Sequence, residues 1–142
     1  MNNYFRYANL PPPPFVESYD QITNYRNYWH TPEYADTYAS YGTDPAITDF
    51  YQDYFSEYIT TRYQVIKKAL PRHTDWNLPL WKYNYLITTG GNVKTQFWSD
   101  MHNDNMVFEI QTPVNTWHEL NVGVPHSVTA PTSPRISLVI RK

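Results

Sequence analysis

The chain has 142 residues, which is the usual size of one domain and too short for two independent cores. Its 11 basic and 13 acidic side chains give a formal net charge of -2, so it lacks the basic field that gathers nucleic acid or anionic lipid. It has no cysteine, which excludes disulfides, thiolate nucleophiles and thiolate-bound metals. A metal site in this protein must therefore use histidine and carboxylate ligands.

No segment approaches the roughly 18 apolar residues of a membrane span. The opening MNNYFRYANLPPPP also lacks the apolar run of a signal peptide. We therefore expect a cytoplasmic protein, in the host-cell cytoplasm if the chain is viral, with neither membrane nor nucleic acid as a partner. Aromatic residues make up 18% of the chain, which predicts an aromatic core with hydroxyl and indole groups at its edge.

Residues 1–43 are expected to form an arm wrapped on a domain formed by residues 44–142. The arm contains the proline run Pro11–Pro14, and a short helix is predicted between Glu17 and Trp29. The proline run is interpreted as a stiff spacer or, alternatively, as a ligand for an aromatic groove on another protein.

A long helix is predicted to begin at Pro45, because Asp44 offers an N-cap and proline suits the first helical position. Apolar residues then recur at helical spacing as far as Leu70, and Pro71 is expected to end the helix. Its single apolar stripe needs a sheet or another helix to cover it, and the remaining sequence predicts a sheet.

Short strand-like runs follow Pro71 and are separated by turn residues. The predicted strands are Tyr83–Thr89, Val93–Trp98, Met106–Gln111, Glu119–Val122, His126–Thr129 and Arg135–Arg141. Gly90-Gly91-Asn92 is predicted to form a hairpin turn between the first two strands, and residues 131–134 a loop between the last two. The pattern predicts a mainly β fold with N-terminal helices, built as a two-sheet sandwich or a small barrel.

Two His-x-Asp patterns occur, His73 with Asp75 and His102 with Asp104. Residues i and i+2 of an extended segment face the same side, so either pair can offer an imidazole and a carboxylate to one metal. A further histidine from a neighbouring strand would complete a site of two histidines and one carboxylate.

Arg135 and Ser137 share one face of an otherwise apolar strand that follows His126. Since a buried guanidinium without a partner is costly, Arg135 is expected either to reach solvent or to hold an anion. A dicarboxylate bound through two parallel hydrogen bonds would satisfy it.

These motifs resemble those of the iron(II)- and 2-oxoglutarate-dependent oxygenases, in particular the short phage and marine microbial members related to prolyl and aspartyl hydroxylases. The resemblance covers residues 70–142. It rests on the segments His73–Asp75, Tyr83–Ile87, Thr95–Trp98, Pro125–Val128 and Arg135–Ser137. It implies a double-stranded β-helix of the jelly-roll or cupin-like type.

The resemblance also implies a site. The Fe(II) ligands that it implies are His73, Asp75 and His126, with no catalytic residue beyond them. It implies that the distal carboxylate of 2-oxoglutarate is bound by Arg135 and Ser137. Asn84 or Tyr85 is similar to a position that helps to bind this cosubstrate, and the sequence leaves open which of the two faces inward.

The function that follows from the resemblance is that of an Fe(II)- and 2-oxoglutarate-dependent dioxygenase, which uses O2 to hydroxylate an unidentified protein or small molecule. Two alternatives stay open: a non-catalytic cupin-like binding domain, and a phage structural or interaction protein. The pair of His102 and Asp104 lies too close in sequence to His126 for the strands that separate such ligands, so it is interpreted as a polar turn. His118 and His30 are interpreted as surface or hydrogen-bonded residues.

Overall fold

The computed structural model describes residues 2–24, 37–75 and 80–142. The elements of these residues, in chain order, are β1 (Phe5–Tyr7), α1 (Tyr19–Thr23), β2 (Tyr38–Gly42), α2 (Pro45–Gln52), β3 (Thr60–Ile66), β4 (Leu70–His73), β5 (Trp81–Thr88), β6 (Thr95–Trp98), β7 (Met106–Ile110), β8 (Trp117–Asn121), β9 (His126–Val128) and β10 (Arg135–Arg141). The six strands predicted after Pro71 all form, at bounds close to those expected.

The strands form two antiparallel sheets that face each other across a cavity. The order is β1-β8-β5-β10-β3-β2 in the six-stranded sheet and β4-β9-β6-β7 in the four-stranded sheet. Consecutive strands such as β8, β9 and β10 alternate between the sheets, which winds the chain as a double-stranded β-helix. The predicted mainly β fold of the jelly-roll or cupin-like type is confirmed.

The hairpin predicted at Gly90-Gly91-Asn92 is wrong, because β5 and β6 lie in different sheets. The two glycines carry the chain between the sheets with φ angles of 73° and 112°, which residues with a side chain rarely adopt. A Cβ on Gly90 would lie 2.7 Å from the carbonyl oxygen of Ser133, so glycine allows this turn to pack against the loop before β10.

The helix α2 begins where the sequence predicts. The Asp44 carboxylate accepts a hydrogen bond of 2.9 Å from the backbone N–H of Ala46, and Pro45 is the first helical residue. The side chain thus satisfies one of the N–H groups that the first turn leaves without a partner.

The helix predicted from Pro45 to Leu70 is wrong beyond Gln52, where α2 ends. Residues 60–66 form β3 and residues 70–73 form β4. β3 is rich in β-branched and aromatic residues, and it pairs with β2 on one side and β10 on the other. The segment forms a strand although its apolar residues also fit helical spacing, because pairing in the sheet buries its alternate side chains in the core.

The helix α1 is short and capped. Ser18 and Gln21 form a reciprocal capping box at its start. It is the described part of the helix predicted between Glu17 and Trp29, and residues 25–29 lie outside the described ranges. No helix within those ranges combines the length and the apolar content needed to cross a membrane.

The main hydrophobic core lies on the outer face of the six-stranded sheet, against α1, α2 and the N-terminal segment. Its largest fully buried side chains include Trp117, Tyr51, Tyr63, Leu138 and Ile140. Alternate residues of the same strands point the other way, toward the four-stranded sheet. The inner face of the six-stranded sheet is therefore available for polar side chains.

The N-terminal residues complete the six-stranded sheet, since β1 pairs with β8 at one edge and β2 with β3 at the other. The Pro11 carbonyl accepts hydrogen bonds from the Tyr51 hydroxyl at 2.9 Å and from Trp117 Nε1 at 2.8 Å. The start of the proline run therefore docks on aromatic residues of its own chain. The division of the chain between residues 43 and 44 stays a prediction.

We expect Tyr51→Phe to lower the free energy of unfolding by about 1 kcal/mol, because it removes a buried hydrogen bond while Trp117 still donates to Pro11. Urea denaturation monitored by tryptophan fluorescence measures the change. The matched control is Tyr54→Phe, since Tyr54 is 53% exposed. Equal stability of the two variants would contradict a structural role for the Pro11 contact.

Candidate metal centre

The three predicted metal ligands converge at one end of β4 and β9. These strands pair antiparallel with His73 directly opposite His126, and the two imidazole centroids lie 4.3 Å apart. Asp75 follows β4, and its backbone N–H donates to the carbonyl of Val122 at 2.9 Å. The ligand atoms of the three side chains all lie within 4.8 Å of one another.

Both imidazoles are oriented by backbone carbonyls. Nδ1 of His73 lies 2.7 Å from the Pro71 oxygen, and Nδ1 of His126 lies 2.7 Å from the Val124 oxygen. A carbonyl can only accept, so each Nδ1 carries a hydrogen, and in a neutral imidazole this leaves the lone pair on Nε2. The two Nε2 atoms lie 3.5 Å and 3.8 Å from Oδ1 of Asp75, so all three donors face one point.

The local electrostatics keep Asp75 and His126 in the protonation states that a cation needs. Burial by itself raises the pKa of Asp75. The hydrogen bond with His73 and the charges of Lys82 and the two imidazoles outweigh this effect and lower the pKa to about 2. Burial, followed by the charge of His73, lowers the pKa of His126 to about 4. At neutral pH Asp75 is therefore a carboxylate and His126 is neutral.

Two imidazole nitrogens and one carboxylate oxygen suit a divalent first-row metal such as Fe(II). Three protein ligands would leave the remaining coordination positions of such a metal open to water or to a ligand. The fold and the site together define a double-stranded β-helix with a candidate centre of two histidines and one aspartate.

The candidate ligands separate two cavities. An inner cavity of about 60 Å³ lies between the sheets and holds roughly four to six water molecules, which is the scale of a small organic acid. An outer cavity of about 440 Å³ is lined by His73, Asp75, Arg72, Tyr38 and Met101, among others. A metal held by these ligands would face both cavities.

Arg135 lines the inner cavity and is buried. Its guanidinium donates to the Thr89 carbonyl at 3.0 Å and to Oγ1 of Thr112 at 2.6 Å. Neither partner is charged, and no carboxylate within the described ranges forms an ion pair with it. Burial lowers its pKa to about 10, which still leaves it positive at neutral pH.

The other predicted cosubstrate residues lie on both faces of the sheet. Ser137 and Asn84 line the inner cavity together with Arg135. Tyr85 lies on the opposite face, in the outer core, where its ring centroid is 5.3 Å from that of Trp117. Of these two residues, Asn84 is therefore the one that faces the inner cavity.

Two further titratable residues of the inner cavity were not identified from the sequence as site residues, namely Lys82 and His118. His118 is buried and lies 3.0 Å through Nδ1 from the Thr116 carbonyl, so the surface interpretation of it is wrong and the hydrogen-bonded one is confirmed. Alternation along β5 places Lys82 on the same face as Asn84, and this relation can be read from the sequence. The sequence does not reveal, however, whether that face is the one turned toward the cavity.

The second His-x-Asp pair lies apart from the site. His102 and Asp104 are exposed, and the Asp100 carboxylate accepts from the backbone N–H groups of His102 and Asn103 at 2.8 Å and 2.7 Å. The interpretation of this pair as a polar turn is confirmed. His30 lies outside the described residues.

Comparison with solved structures shows a likeness to vicilin from Corylus avellana, the hazelnut, at 12% identity and a TM-score of 0.51. The match covers 84% of this chain and 32% of vicilin, so this chain spans about a third of that protein. At such an identity the likeness shows the fold alone, which agrees with the cupin-like architecture. No protein-family model and no curated protein matches the sequence.

Two further solved structures are similar at lower TM-scores. Fe(II)-HppE with the alternative substrate (S)-1-HPP matches at 12% identity and a TM-score of 0.49, over 80% of this chain and 53% of that chain. A mutant of Bacillus subtilis oxalate decarboxylase OxdC matches at 15% identity and a TM-score of 0.47, over 80% of this chain and 28% of that chain.

We expect Mn(II), as a stable substitute for Fe(II), to raise the melting temperature of the protein, because a ligand that binds only the folded state stabilises it. His73→Ala should weaken Mn(II) binding at least tenfold, since it leaves two ligands. Isothermal titration calorimetry measures the affinity. His102→Ala is the matched control and should bind Mn(II) as the wild type does; an equal loss in both variants would refute the site.

A second prediction concerns the pH dependence of stability without metal. Burial lowers the pKa of His118 from 6.5 to about 4 in the folded protein. The unfolded chain therefore takes up a proton first as pH falls, so stability is lost between pH 6.5 and 4, by up to about 3 kcal/mol.

Urea denaturation in EDTA at a series of pH values tests this. His118→Asn keeps an N–H donor for the Thr116 carbonyl but does not titrate, so its stability should fall less across this range. The shift of His126 has the same sign and leaves part of the dependence in place. His102→Asn is the control, and a wild-type slope in the His118 variant would contradict the prediction.

Proposed function

We propose that this protein is an Fe(II)- and 2-oxoglutarate-dependent dioxygenase that hydroxylates a substrate with O2. One observation carries the proposal: three metal-type donors converge, and one of them, His126, lines a cavity that also contains the buried Arg135, for which the described residues supply no carboxylate partner. A cation site and a guanidinium that border the same cavity are complementary to a small dicarboxylate that chelates a metal.

His73, Asp75 and His126 would hold the iron. When bound, Fe(II) and 2-oxoglutarate supply the oxidising chemistry, in which decarboxylation of the cosubstrate is coupled to insertion of oxygen into a C–H bond. The role of the protein is to hold the side chains of His73, Asp75 and His126 in position for the metal. The two carbonyl contacts at Nδ1 hold the imidazoles in place without the metal.

Arg135 would bind the distal carboxylate of 2-oxoglutarate. Its present partners, Thr89 and Thr112, are neutral, so a carboxylate would add the missing negative charge. Ser137 and Asn84 lie on the same inner face and can add hydrogen bonds to the cosubstrate. Burial lowers the pKa of His118, so this residue of the same cavity is neutral at neutral pH and adds no positive charge to that of Arg135.

The outer cavity would receive the substrate. It borders His73 and Asp75 on the side away from Arg135, and its volume of about 440 Å³ accommodates a side chain or a small metabolite. Its wall is held in place, because the Arg72 guanidinium stacks 3.8 Å above the Trp98 ring and donates to the Asn103 carbonyl. A protein or a small molecule with an accessible C–H bond is the proposed partner, together with O2.

We expect anaerobic addition of Fe(II) and 2-oxoglutarate to produce a metal-to-ligand charge-transfer band in the visible spectrum, and subsequent O2 to yield succinate. Asp75→Ala should abolish both, because it removes the one charged ligand. Arg135→Met should keep metal binding and raise the dissociation constant for 2-oxoglutarate at least tenfold, since hydrogen bonds to charged groups contribute about 1.5–3 kcal/mol.

Arg6→Met is the control, because Arg6 pairs with Glu119 on the outer face of the sheet. It should bind 2-oxoglutarate like the wild type. Metal binding without the band would refute the dioxygenase proposal in favour of a binding domain. Succinate formation that survives in Asp75→Ala would show that the three donors are not the iron site.

A further inference from the structure

Lys82 is a side chain of the inner cavity that the proposed metal and cosubstrate do not use. It lies on β5 opposite Leu120 of β8, which lines the same cavity. Its ammonium group forms no hydrogen bond and no ion pair within residues 2–24, 37–75 and 80–142. An ammonium group that leaves bulk water without gaining a partner is costly. Lys82 therefore needs a partner that the described residues do not supply.

The ammonium group of Lys82 lies at the metal end of the cavity. After burial and the hydrogen bond with His73, the charge of Lys82 is the next largest influence on the pKa of Asp75. Burial and then the charge of His73 lower the pKa of His126, and the charge of Lys82 adds to them. Lys82 is therefore close enough to act on two of the three candidate metal ligands.

Arg135 lies at the other end of the cavity. β10 and β5 pair antiparallel with Ile136 opposite Thr88, and the Arg135 guanidinium donates to the Thr89 carbonyl at 3.0 Å. Lys82 is near the start of β5 and Thr89 follows its end, so their backbones are roughly 20 Å apart. Both side chains nevertheless line one cavity. The cavity thus extends between two basic side chains, and a single carboxylate group cannot contact both.

The wall between these two side chains offers hydrogen-bonding groups but no negative charge. None of the described residues that line the inner cavity is an aspartate or a glutamate. Ser137 of β10 pairs directly with Gln64 of β3, and both line the cavity, as does Asn84 of β5. Hydroxyl and amide groups of this kind can donate to the middle of a ligand whose ends are anionic.

The proposed cosubstrate leaves Lys82 unmatched in a count of charges. Asp75 and one carboxylate of 2-oxoglutarate match a divalent metal, and the distal carboxylate matches Arg135. Burial is the largest influence on the pKa of Lys82 and lowers it, whereas the charge of Asp75 raises it. A carboxylate beside the ammonium group acts in the same direction as Asp75 and favours the charged form. The carboxylate that chelates the metal would therefore gain from a contact with Lys82.

We propose that Lys82 is a second carboxylate anchor at the metal end of the inner cavity, and that this cavity selects ligands with two carboxylates. One carboxylate binds Lys82 and the other binds Arg135, through charge-assisted hydrogen bonds. That Lys82 contacts the metal-chelating carboxylate of 2-oxoglutarate rests on the proposed function. The selection of a dicarboxylate does not, because both basic side chains line the cavity without a metal.

The test compares glutarate with pentanoate, which has the same chain length but a methyl group in place of one carboxylate. The full chain in EDTA is titrated with each probe by isothermal titration calorimetry at constant ionic strength. We expect the wild type to bind glutarate at least tenfold more tightly, since only glutarate can contact both Lys82 and Arg135. Lys82→Met should bind the two probes about equally. A residue that only supported the fold would not change this preference.

Lys94→Met is the matched control, because Lys94 pairs with Glu109 and does not line the inner cavity. It should keep the preference of the wild type for glutarate. Lys82→Gln replaces Lys82→Met if the latter does not fold. Absence of glutarate binding to the wild type overturns the proposal, and so does a preference for glutarate that persists when Lys82 is replaced.

This titration is independent of the test of the dioxygenase, because it contains no metal. A preference for glutarate that depends on Lys82, in a protein that gives no charge-transfer band with Fe(II) and 2-oxoglutarate, supports the dicarboxylate site and refutes only the dioxygenase. If the band forms while the preference does not depend on Lys82, the dioxygenase proposal stands and the second anchor is overturned.

Discussion

The two-residue alternation of side chains in the six-stranded sheet is the constraint on which the rest of the structure depends. On β10, Ile136, Leu138 and Ile140 enter the aromatic outer core, while Arg135 and Ser137 enter the cavity. The helices and the docked Pro11 segment give the outer face its apolar burial. Because that face supplies the hydrophobic stabilisation, the inner face can retain charges that would be costly in a single core.

The facing sheets divide the chemistry of the site between them. The smaller sheet carries the metal-type donors, since the pairing of β4 with β9 sets His73 opposite His126 and leaves Asp75 just beyond. The larger sheet carries the cationic side chains Arg135 and Lys82 on its inner face. A ligand between the sheets would therefore contact metal-type donors on one wall and cationic side chains on the other.

The sequence predicted the elements whose signals are local. The six strands after Pro71 and the capped start of α2 depend on short-range alternation and on Asp44 and Pro45, so they form as expected. The segment 60–66 does not form the predicted helix. Its apolar spacing fits a helix and a strand alike, and only pairing with β2 and β10 makes it a strand. The hairpin prediction at Gly90 is wrong for a related reason: the turn residues specify a change of direction, but not the sheet that the next strand joins.

For the site, the sequence by itself determined the chemical types and their spacing. Without cysteine the ligands must be histidine and carboxylate, and the i, i+2 spacing of His73 and Asp75 places them on one face. The tertiary structure decided that this pair, and not His102 with Asp104, meets His126. It also decided that Asn84 and Lys82 face inward. A strand's sequence separates its two faces, but only the layer packed on each face determines which one becomes core and which becomes cavity.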